Sequence, residues 1–181
     1  MNDPVETPPA IPLDGGLGIL ARRRIEAAVI APIYHAMCAE IGEARARSIL
    51  DRAIRDAAIS AGQGFAAQTP GGTSLKTFEE LLHLWTQDDA LTIEVLEATD
   101  TQFDFNVRRC RYAETYREMG LGEIGHVLSC NRDGAFCEGY DPRMKLTRTQ
   151  TIMGGASHCD FRYRLVEDGA DQADTGTGLP S

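Results

Sequence analysis

The sequence predicts an α+β fold, in which N-terminal helices precede a mostly antiparallel sheet of about four strands covered by helices. Three observations lead to this class. Apolar residues recur with a helical period as far as Trp85, and they alternate with polar residues from Leu91 to Cys110. Alternation returns between Leu146 and Leu165, and short turns inside both alternating regions indicate antiparallel hairpins.

The chain of 181 residues predicts one domain flanked by two tails. Residues 1–16 contain four prolines, and residues 167–181 are polar, acidic and rich in glycine. Neither segment can bury enough apolar surface to offset its ordering entropy. We therefore predict a disordered tail at 1–16, a single catalytic α+β domain at 17–166, and a disordered acidic tail at 167–181.

Charge and hydropathy restrict the partners of this chain. The tails carry −3 and −4 of the net charge of −9, so the body keeps −2 and has no basic surface for nucleic acid. No apolar run approaches the roughly 18 residues that span a bilayer, and the N-terminus lacks the features of a secretory signal. We expect a cytoplasmic protein with a small-molecule substrate and with no membrane or nucleic-acid partner. A homo-oligomer remains open.

Two long helices open the predicted domain. The first extends from Leu17 to Glu40, with Pro32 kinking or dividing it, and its inward face is predicted at Ile25, Val29, Ile33 and Met37. The second covers residues 43–66 after Gly42, and its inward face is predicted at Ile49, Ala53, Ala57, Ala61 and Phe65. The arginine run at 22–24 is interpreted as a solvated face of the first helix.

Charged pairs and a cap support these helices. The spacing predicts ion pairs between Glu43 and Arg47 and between Asp51 and Arg55, on the exposed side of the second helix. Thr77-Phe-Glu-Glu has the spelling of a capping box, so a third helix is predicted from there through Trp85.

The remaining elements alternate between strand and helix. Strands are predicted at 91–97 and 103–110, followed by helices at 112–119 and at 123 to about 136. After a turn at Asp141-Pro, residues 146–153 and 158–165 predict a second hairpin, divided by Gly154-Gly-Ala-Ser.

Cysteines mark the candidate site, since four of the five lie between positions 110 and 159. On the predicted helix, four residues share one face, namely His126, Cys130, Asp133 and Cys137. On the last strand, Cys159 lies on the apolar side that faces the helices, and His158 points the other way. We therefore expect Cys130, Asp133 and Cys159 to meet, with one thiol partly ionised near neutral pH.

Two other interpretations of the cysteines stay open. A free cysteine often only fills space in a core. Alternatively, distant segments assemble a zinc site from Cys110, Cys130, Cys159 and His158. The usual spelling of a structural zinc site, with a C-x₂-C pair, is missing. We therefore predict neither a metal nor another cofactor.

Several short motifs resemble the L-2-amino-thiazoline-4-carboxylic acid hydrolase family. These are Cys110 after a strand, Leu128-Ser-Cys-Asn-Arg-Asp133, Arg148-Thr-Gln-Thr151, Gly154 and Cys159-Asp-Phe161. In the N-terminal half, Pro32-Ile-Tyr and Glu40-Ile-Gly-Glu-Ala agree, so the resemblance covers residues 20–165. It implies the hydrolytic opening of a cyclic amidine or of a related nitrogen heterocycle. His126, Cys137 and His158 are not part of the pattern.

Nucleophilic attack by a thiolate on the ring carbon is a mechanism that suits these residues. We assign catalytic roles to Cys159 as the preferred nucleophile, Cys130 as the second choice, Asp133 as the proton carrier and His158 as a cation that lowers a thiol pKa, a role for which Arg148 is the alternative. Substrate binding is assigned to Arg148, Thr151 and Cys110. The alternative functions are a sensor domain that binds a small molecule or a metal without turnover, and a metal-dependent hydrolase.

Overall fold

The computed structural model describes residues 16–166, and the two predicted tails lie outside these residues except for Gly16. The order of the elements confirms the α+β class. The helices and strands are α1 Ile19–Ile41, α2 Glu43–Gln68, α3 Leu75–Leu81, α4 His83–Thr86, β1 Leu91–Ala98, β2 Gln102–Cys110, α5 Arg111–Glu118, α6 Gly122–Gly125, α7 Asn131–Tyr140, β3 Met144–Thr147 and β4 Cys159–Leu165.

The four strands form one antiparallel sheet in the order β1-β2-β4-β3. Both predicted hairpins are present, and the pairing of β2 with β4 joins them. In this pairing Val107 lies opposite Cys159, and Phe105 lies opposite Phe161. The two rings stack with their centroids 4.8 Å apart. The apolar side of β4 therefore faces the helices, as the alternation of Cys159, Phe161 and Tyr163 predicts.

Helices α2 and α7 pack so closely that their backbones touch. A methyl group on Gly139 of α7 would overlap the backbone carbonyl of Ile59, and one on Gly62 of α2 would overlap the carbonyl of Phe136. Glycine is needed at both positions because no side chain fits between the two backbones. The contact holds α7 against the sheet and directs the Phe136 ring into the core.

The structure reverses the predicted orientation of α1. The helix continues past Pro32, and Ile25, Val29 and Ile33 are exposed, whereas Ala27 and Tyr34 are buried. Met37, the fourth residue of the predicted inward face, is half-buried against the core. Apolar residues occur on both sides of this helix. The prediction from apolar residues at every fourth position therefore selected the exposed side instead of the buried one. Pro32 lies on the exposed side, where the carbonyl that it leaves unpaired one turn earlier can be solvated.

The predicted inward face of α2 is shifted by one residue. The buried positions are Ala46, Leu50, Ile54, Ala58 and Gly62, and Ala53 and Ala57 are exposed. One residue turns a helix by about 100°, so this shift selects a different side. The side containing Gly62 faces inward because only it permits the close approach of α7.

One predicted ion pair on α2 is present, and the other is not. Glu43 and Arg47 are 3.5 Å apart, as predicted. Asp51 instead accepts a hydrogen bond from the Asn131 amide, and Arg55 pairs with Glu138 at 2.8 Å. Partners from α7 therefore replace the local pair that the spacing predicts.

Three predicted boundaries are also corrected. Helix α3 begins after Ser74, whose hydroxyl accepts from the Thr77 N–H and forms the capping box one turn early. Strand β3 ends at Thr147, because the N–H groups of Thr149 and Gln150 bond to the Asp160 carboxylate instead of a strand. The predicted helix at 123–136 extends from Gly122 to Tyr140, with a π-helical segment at His126–Cys130.

Candidate functional site

A cavity of about 100 Å³ lies between the buried face of the sheet and the helices. Most of its wall is apolar, and aromatic rings contribute much of that wall. The aromatic side chains in this wall are Phe78, Trp85, Phe105, Tyr112, Phe136, Phe161 and Tyr163. The Tyr163 ring is almost fully buried, and its burial raises its pKa well above the usual value. The cavity is therefore a largely dehydrated space with room for a small ring.

Five of the seven predicted site residues line this cavity, namely Cys110, Cys130, Asp133, Arg148 and Cys159. Each comes from a different place in the chain: the end of β2, the π-helical segment, the first turn of α7, the loop after β3, and the start of β4. Antiparallel pairing of β2 with β4, and the close packing of α7 on α2, bring them together. The expected meeting of Cys130, Asp133 and Cys159 at one cavity is found.

Arg148 is the polar centre of this group. One of its Nη atoms donates to Oδ2 of Asp133 at 2.5 Å, and the other donates to the backbone carbonyl of Cys130 at 3.0 Å. Its guanidinium carbon lies 5.0 Å from the centroid of the Phe161 ring, a cation–π distance. These contacts fix the plane of the guanidinium group against one wall of the cavity.

Burial controls the protonation of Asp133. Loss of hydration raises the pKa of this carboxyl above its usual value, and the charge and hydrogen bond of Arg148 oppose the rise without cancelling it. A carboxyl group with a raised pKa is better matched to proton transfer near neutral pH than an ordinary surface aspartate.

The three thiols of the cavity are protonated in the unliganded protein. Burial raises the pKa of Cys110 to about 11, and it also raises the pKa values of Cys130 and Cys159. Arg148 acts in the opposite direction on Cys130 and Cys159, while Asp133 adds to the rise. The expected partly ionised thiol is therefore not found without a ligand.

One backbone hydrogen bond favours the thiolate form of Cys159. The backbone N–H of Ile152 donates to its Sγ at 3.2 Å, and this hydrogen bond lowers the thiol pKa against the effect of burial. The Ile152 N–H belongs to the irregular loop that follows β3. The contact depends on the end of β3 at Thr147. If the strand extended to residue 153, as predicted, the Ile152 N–H would not be in this loop.

A second cationic group was missed in the sequence. Arg23 from α1 and Arg132 from α7 both line the cavity and share one carboxylate, that of Glu26. Arg23 donates to both Glu26 oxygens at 2.7 and 2.8 Å, and Arg132 donates to one at 3.0 Å. Burial and the nearby Arg23 charge lower the pKa of Arg132 to about 10. The arginine run suggested that Arg23 lies on a solvated face. This interpretation is wrong for Arg23, because its side chain lines the cavity.

These contacts leave the site with one more cation than anions. Three positive charges, on Arg23, Arg132 and Arg148, meet only two negative charges, on Glu26 and Asp133, when both carboxylates are ionised. Two features of the sequence pointed to Arg23 and Arg132. Arg23 lies three residues before Glu26, and Arg132 directly precedes Asp133. Neither signal shows which way the side chains point.

An outer cleft of about 640 Å³ adjoins the cavity, and Cys130 and Arg148 line both. Thr151 and His126 line the outer cleft, and the Thr151 hydroxyl accepts a hydrogen bond from the Gly154 N–H at 3.0 Å. Burial, and then the charge of Arg148, lower the pKa of His126. Arg148 therefore lies at the boundary between the inner cavity and the more open cleft.

His158 immediately precedes β4 and lines neither the inner cavity nor the outer cleft. Its ring contacts the Gln150 amide and the Ser157 hydroxyl. Across residues 16–166, no three His, Cys, Asp or Glu side chains are placed to hold a metal ion. Within the same residues, no helix is long and apolar enough to cross a membrane. The fold and site thus define a small α+β domain that encloses a thiol- and arginine-lined cavity.

The chain belongs to the L-2-amino-thiazoline-4-carboxylic acid hydrolase family, whose model matches residues 22–163. This confirms the resemblance of the short motifs and places the chain in a hydrolase family. Among curated proteins, none matches the chain.

Two solved structures are similar to this chain at low sequence identity. The phenol-responsive sensory domain of the transcription activator PoxR, determined with phenol, is 13% identical with a TM-score of 0.50; the match covers 84% of this chain and 79% of that one. A trafficking protein particle complex subunit 3 from Naegleria fowleri, covalently bound to palmitic acid, is 12% identical with a TM-score of 0.47. That match covers 80% of this chain and 97% of that one.

Proposed function

We propose that this protein hydrolyses a C–N bond in a small anionic nitrogen heterocycle, of the cyclic amidine or cyclic amide type, by cysteine-based chemistry. The observation that supports this most strongly is the meeting of Cys130, Cys159, Asp133 and Arg148 at one cavity. The match to a hydrolase family supports the reaction class. Reduced thiols are needed for such chemistry, so we also propose a cytoplasmic location.

The size and charge of the cavity support the substrate class. A dry apolar cavity of about 150 Å³ holds benzene, so a volume of about 100 Å³ limits the ligand of the inner cavity to no more than one small ring. The additional positive charge among Arg23, Arg132 and Arg148 suits a carboxylate on that ring. Aromatic walls favour a planar ring over a flexible chain.

Asp133 and a thiol divide the first chemical step between them. In the proposed reaction, the Asp133 carboxylate takes the proton of the Cys159 thiol while the sulfur bonds to the C=N or C=O carbon of the ring. Asp133 then gives this proton to the ring nitrogen as the C–N bond breaks. The raised pKa of Asp133 and the Ile152 N–H beside Sγ support these two roles.

Water completes the proposed cycle. It adds to the thioester or thioimidate, passes its proton to Asp133 and displaces the sulfur, which recovers the proton as the product leaves. Arg148 stabilises the negative charge that develops on the substrate, in keeping with the substrate-binding role that the sequence predicts for it. The position of Arg148 in the cavity wall also favours it over His158 as the cation that acts on a thiol, because His158 lines neither the cavity nor the outer cleft. Cys130 takes the nucleophilic role if Cys159 does not.

The direct experiment combines substrate turnover with trapping. Purified protein is incubated with 2-amino-thiazoline-4-carboxylate and with related cyclic amidines and amides, and products that have gained one water are measured by mass spectrometry. We expect turnover by the wild-type protein, almost none with Cys159→Ser, and normal turnover with Cys137→Ser. Cys137 is the matched control because it is buried but does not line the cavity.

Two outcomes would contradict the proposal. Full activity of both Cys159→Ser and Cys130→Ser would rule out these two cysteines as nucleophiles, and with them the proposed mechanism. No turnover of any ring compound by the folded wild-type protein would rule out the hydrolase.

A sensor domain that binds without turnover is the second candidate. The specific observation in its favour is that loss of hydration raises the pKa of all three cavity thiols, of which Cys159 is buried and Cys110 and Cys130 are half-buried, and this suits binding better than attack. The similar fold of a phenol-responsive sensory domain makes phenol a suitable probe. For this candidate we expect phenols to raise the melting temperature while no ring compound is consumed. Turnover of a heterocycle would exclude it.

A further inference from the structure

Helix α1 has a second apolar face that nothing within residues 16–166 covers. Ile25, Val29 and Ile33 are 56%, 59% and 54% exposed. Smaller apolar residues continue this exposed surface along the helix at Ala28, Pro32, Ala36 and Ala39. Large apolar side chains are exposed singly on most proteins, but a continuous strip of them marks an interaction surface.

The opposite face of α1 is already buried in the protein core. Ile19, Ala27 and Tyr34 pack against residues of α2 and α5, and Arg23 extends from this side toward the cavity. A helix that is apolar on both sides is typical of one buried on both sides. The exposed strip therefore requires a partner of its own, distinct from the contacts that hold α1 in the fold.

Four residues on the exposed side of α1 have a spacing that is the same when read from either end. Intervals of seven, four and seven residues separate Arg22, Val29, Ile33 and Glu40. At these intervals the four residues lie along one side of the helix. A two-fold axis at the level of residue 31 would bring Arg22 of one copy beside Glu40 of the other. The same axis would bring Val29 beside Ile33. Small residues at positions 28, 36 and 39 allow the two helices to approach closely.

We propose that this strip is the interface of a homodimer, in which two α1 helices pack antiparallel. A second copy of the chain is the partner because the strip complements itself in charge as well as in apolar surface. Two-fold dimers bury the same patch on both subunits, which is the relation that a palindromic spacing produces. The interface would also anchor the helix that carries Arg23, leaving the cavity on the far side of α1.

The test begins with the oligomeric state of the full chain by analytical ultracentrifugation. We expect a species of twice 19.7 kDa that dissociates on dilution. Val29→Glu should raise the dimer dissociation constant by about 100-fold, because the substitution buries two unpaired charges per interface. Val95→Glu is the matched control: this valine is 48% exposed on β1, away from the strip, and its replacement should leave the dimer intact.

Charge reversal tests the antiparallel register. Arg22→Glu alone and Glu40→Arg alone should each weaken the dimer by about tenfold, since like charges would then meet twice. The combined change should restore it. A monomeric wild-type protein would overturn the proposal, and so would a dimer that Val29→Glu leaves unchanged. Single reversals without effect would overturn the antiparallel arrangement. If Val29→Glu does not fold, as judged by circular dichroism, Ile33→Glu provides the same test.

Discussion

Asp133 and Arg148 form the ion pair on which the proposed chemistry depends. The carboxylate is buried, and Arg148 stabilises its charged form without returning its pKa to the ordinary value. A ligand carboxylate that reached Arg148 would compete with Asp133 for the same donors. Asp133 would then be released to accept a proton from a thiol, which links substrate binding to the activation of the nucleophile.

Asp133→Asn should lower turnover and change its dependence on pH. Asp133 acts as a base only when ionised, so the wild-type rate should rise with pH through the raised pKa of this carboxyl. The asparagine variant should lose this acid limb and retain less than about one hundredth of the rate. Rates measured across the acidic range would show both effects. An unchanged acid limb would assign the limb to another group.

Arg148→Lys tests whether the planar guanidinium matters or only its charge. Lysine keeps the charge but cannot donate to Asp133 and to the Cys130 carbonyl in the same fork geometry. We expect kcat/KM to fall by about 10- to 100-fold. The control is Arg108→Lys, because Arg108 forms an exposed pair with Glu94 and should tolerate the change. Full activity of Arg148→Lys would leave Arg148 with a structural role only.

At the scale of elements, the contact between α2 and α7 positions the site. Asp133 lies on the first turn of α7, and the glycines of the contact determine how near that helix lies to the sheet. The loop after β3 completes the site because the Asp160 carboxylate binds its N–H groups and directs the Ile152 N–H toward Cys159. A packed helix pair and one irregular loop therefore hold the polar groups of the cavity.

Gly139→Ala should destabilise the protein by about 2–3 kcal/mol, because the new methyl group would overlap the Ile59 carbonyl across the helix contact. Gly134→Ala is the matched control on the same helix. A methyl group there meets no atom within 4 Å, and alanine should stabilise the helix by up to about 1 kcal/mol. Urea denaturation of both variants measures the difference. Equal stabilities would show that α2 and α7 are not in backbone contact.

At the scale of the whole molecule, the domain boundaries remain a prediction. A shortened chain of residues 17–166 should fold with the melting temperature of the full chain, because the composition of both tails opposes burial. Differential scanning calorimetry of both proteins would test this. A loss of several degrees in the shortened chain would show that a tail packs on the body.

Much of the fold could be predicted from local patterns. The strands β1, β2 and β4, the antiparallel hairpins and the buried side of Cys159, Phe161 and Tyr163 all follow from alternation, which specifies a face directly. The inward faces of α1 and α2 could not be predicted in the same way. Both helices carry apolar residues on more than one side, and the period of a helix does not reveal which side meets the core.

The candidate site shows the same division between local pattern and packing. The motifs around Cys110, Cys130, Arg148 and Cys159 identified five residues that line the cavity. Arg23 and Arg132 were missed because their shared partner, Glu26, brings together two helices that are distant in sequence. The partly ionised thiol was also not found, since burial depends on the surroundings of a sulfur atom and its sequence neighbours do not specify them.

The sequence by itself determined the α+β class, the family and the residue types of the site, because periodicity and short motifs are local properties of the chain. Only the tertiary structure decided which face of α1 remains exposed, which arginines reach the cavity and which way each thiol pKa moves. Those outcomes depend on the approach of segments far apart in sequence, and on the water that this approach removes.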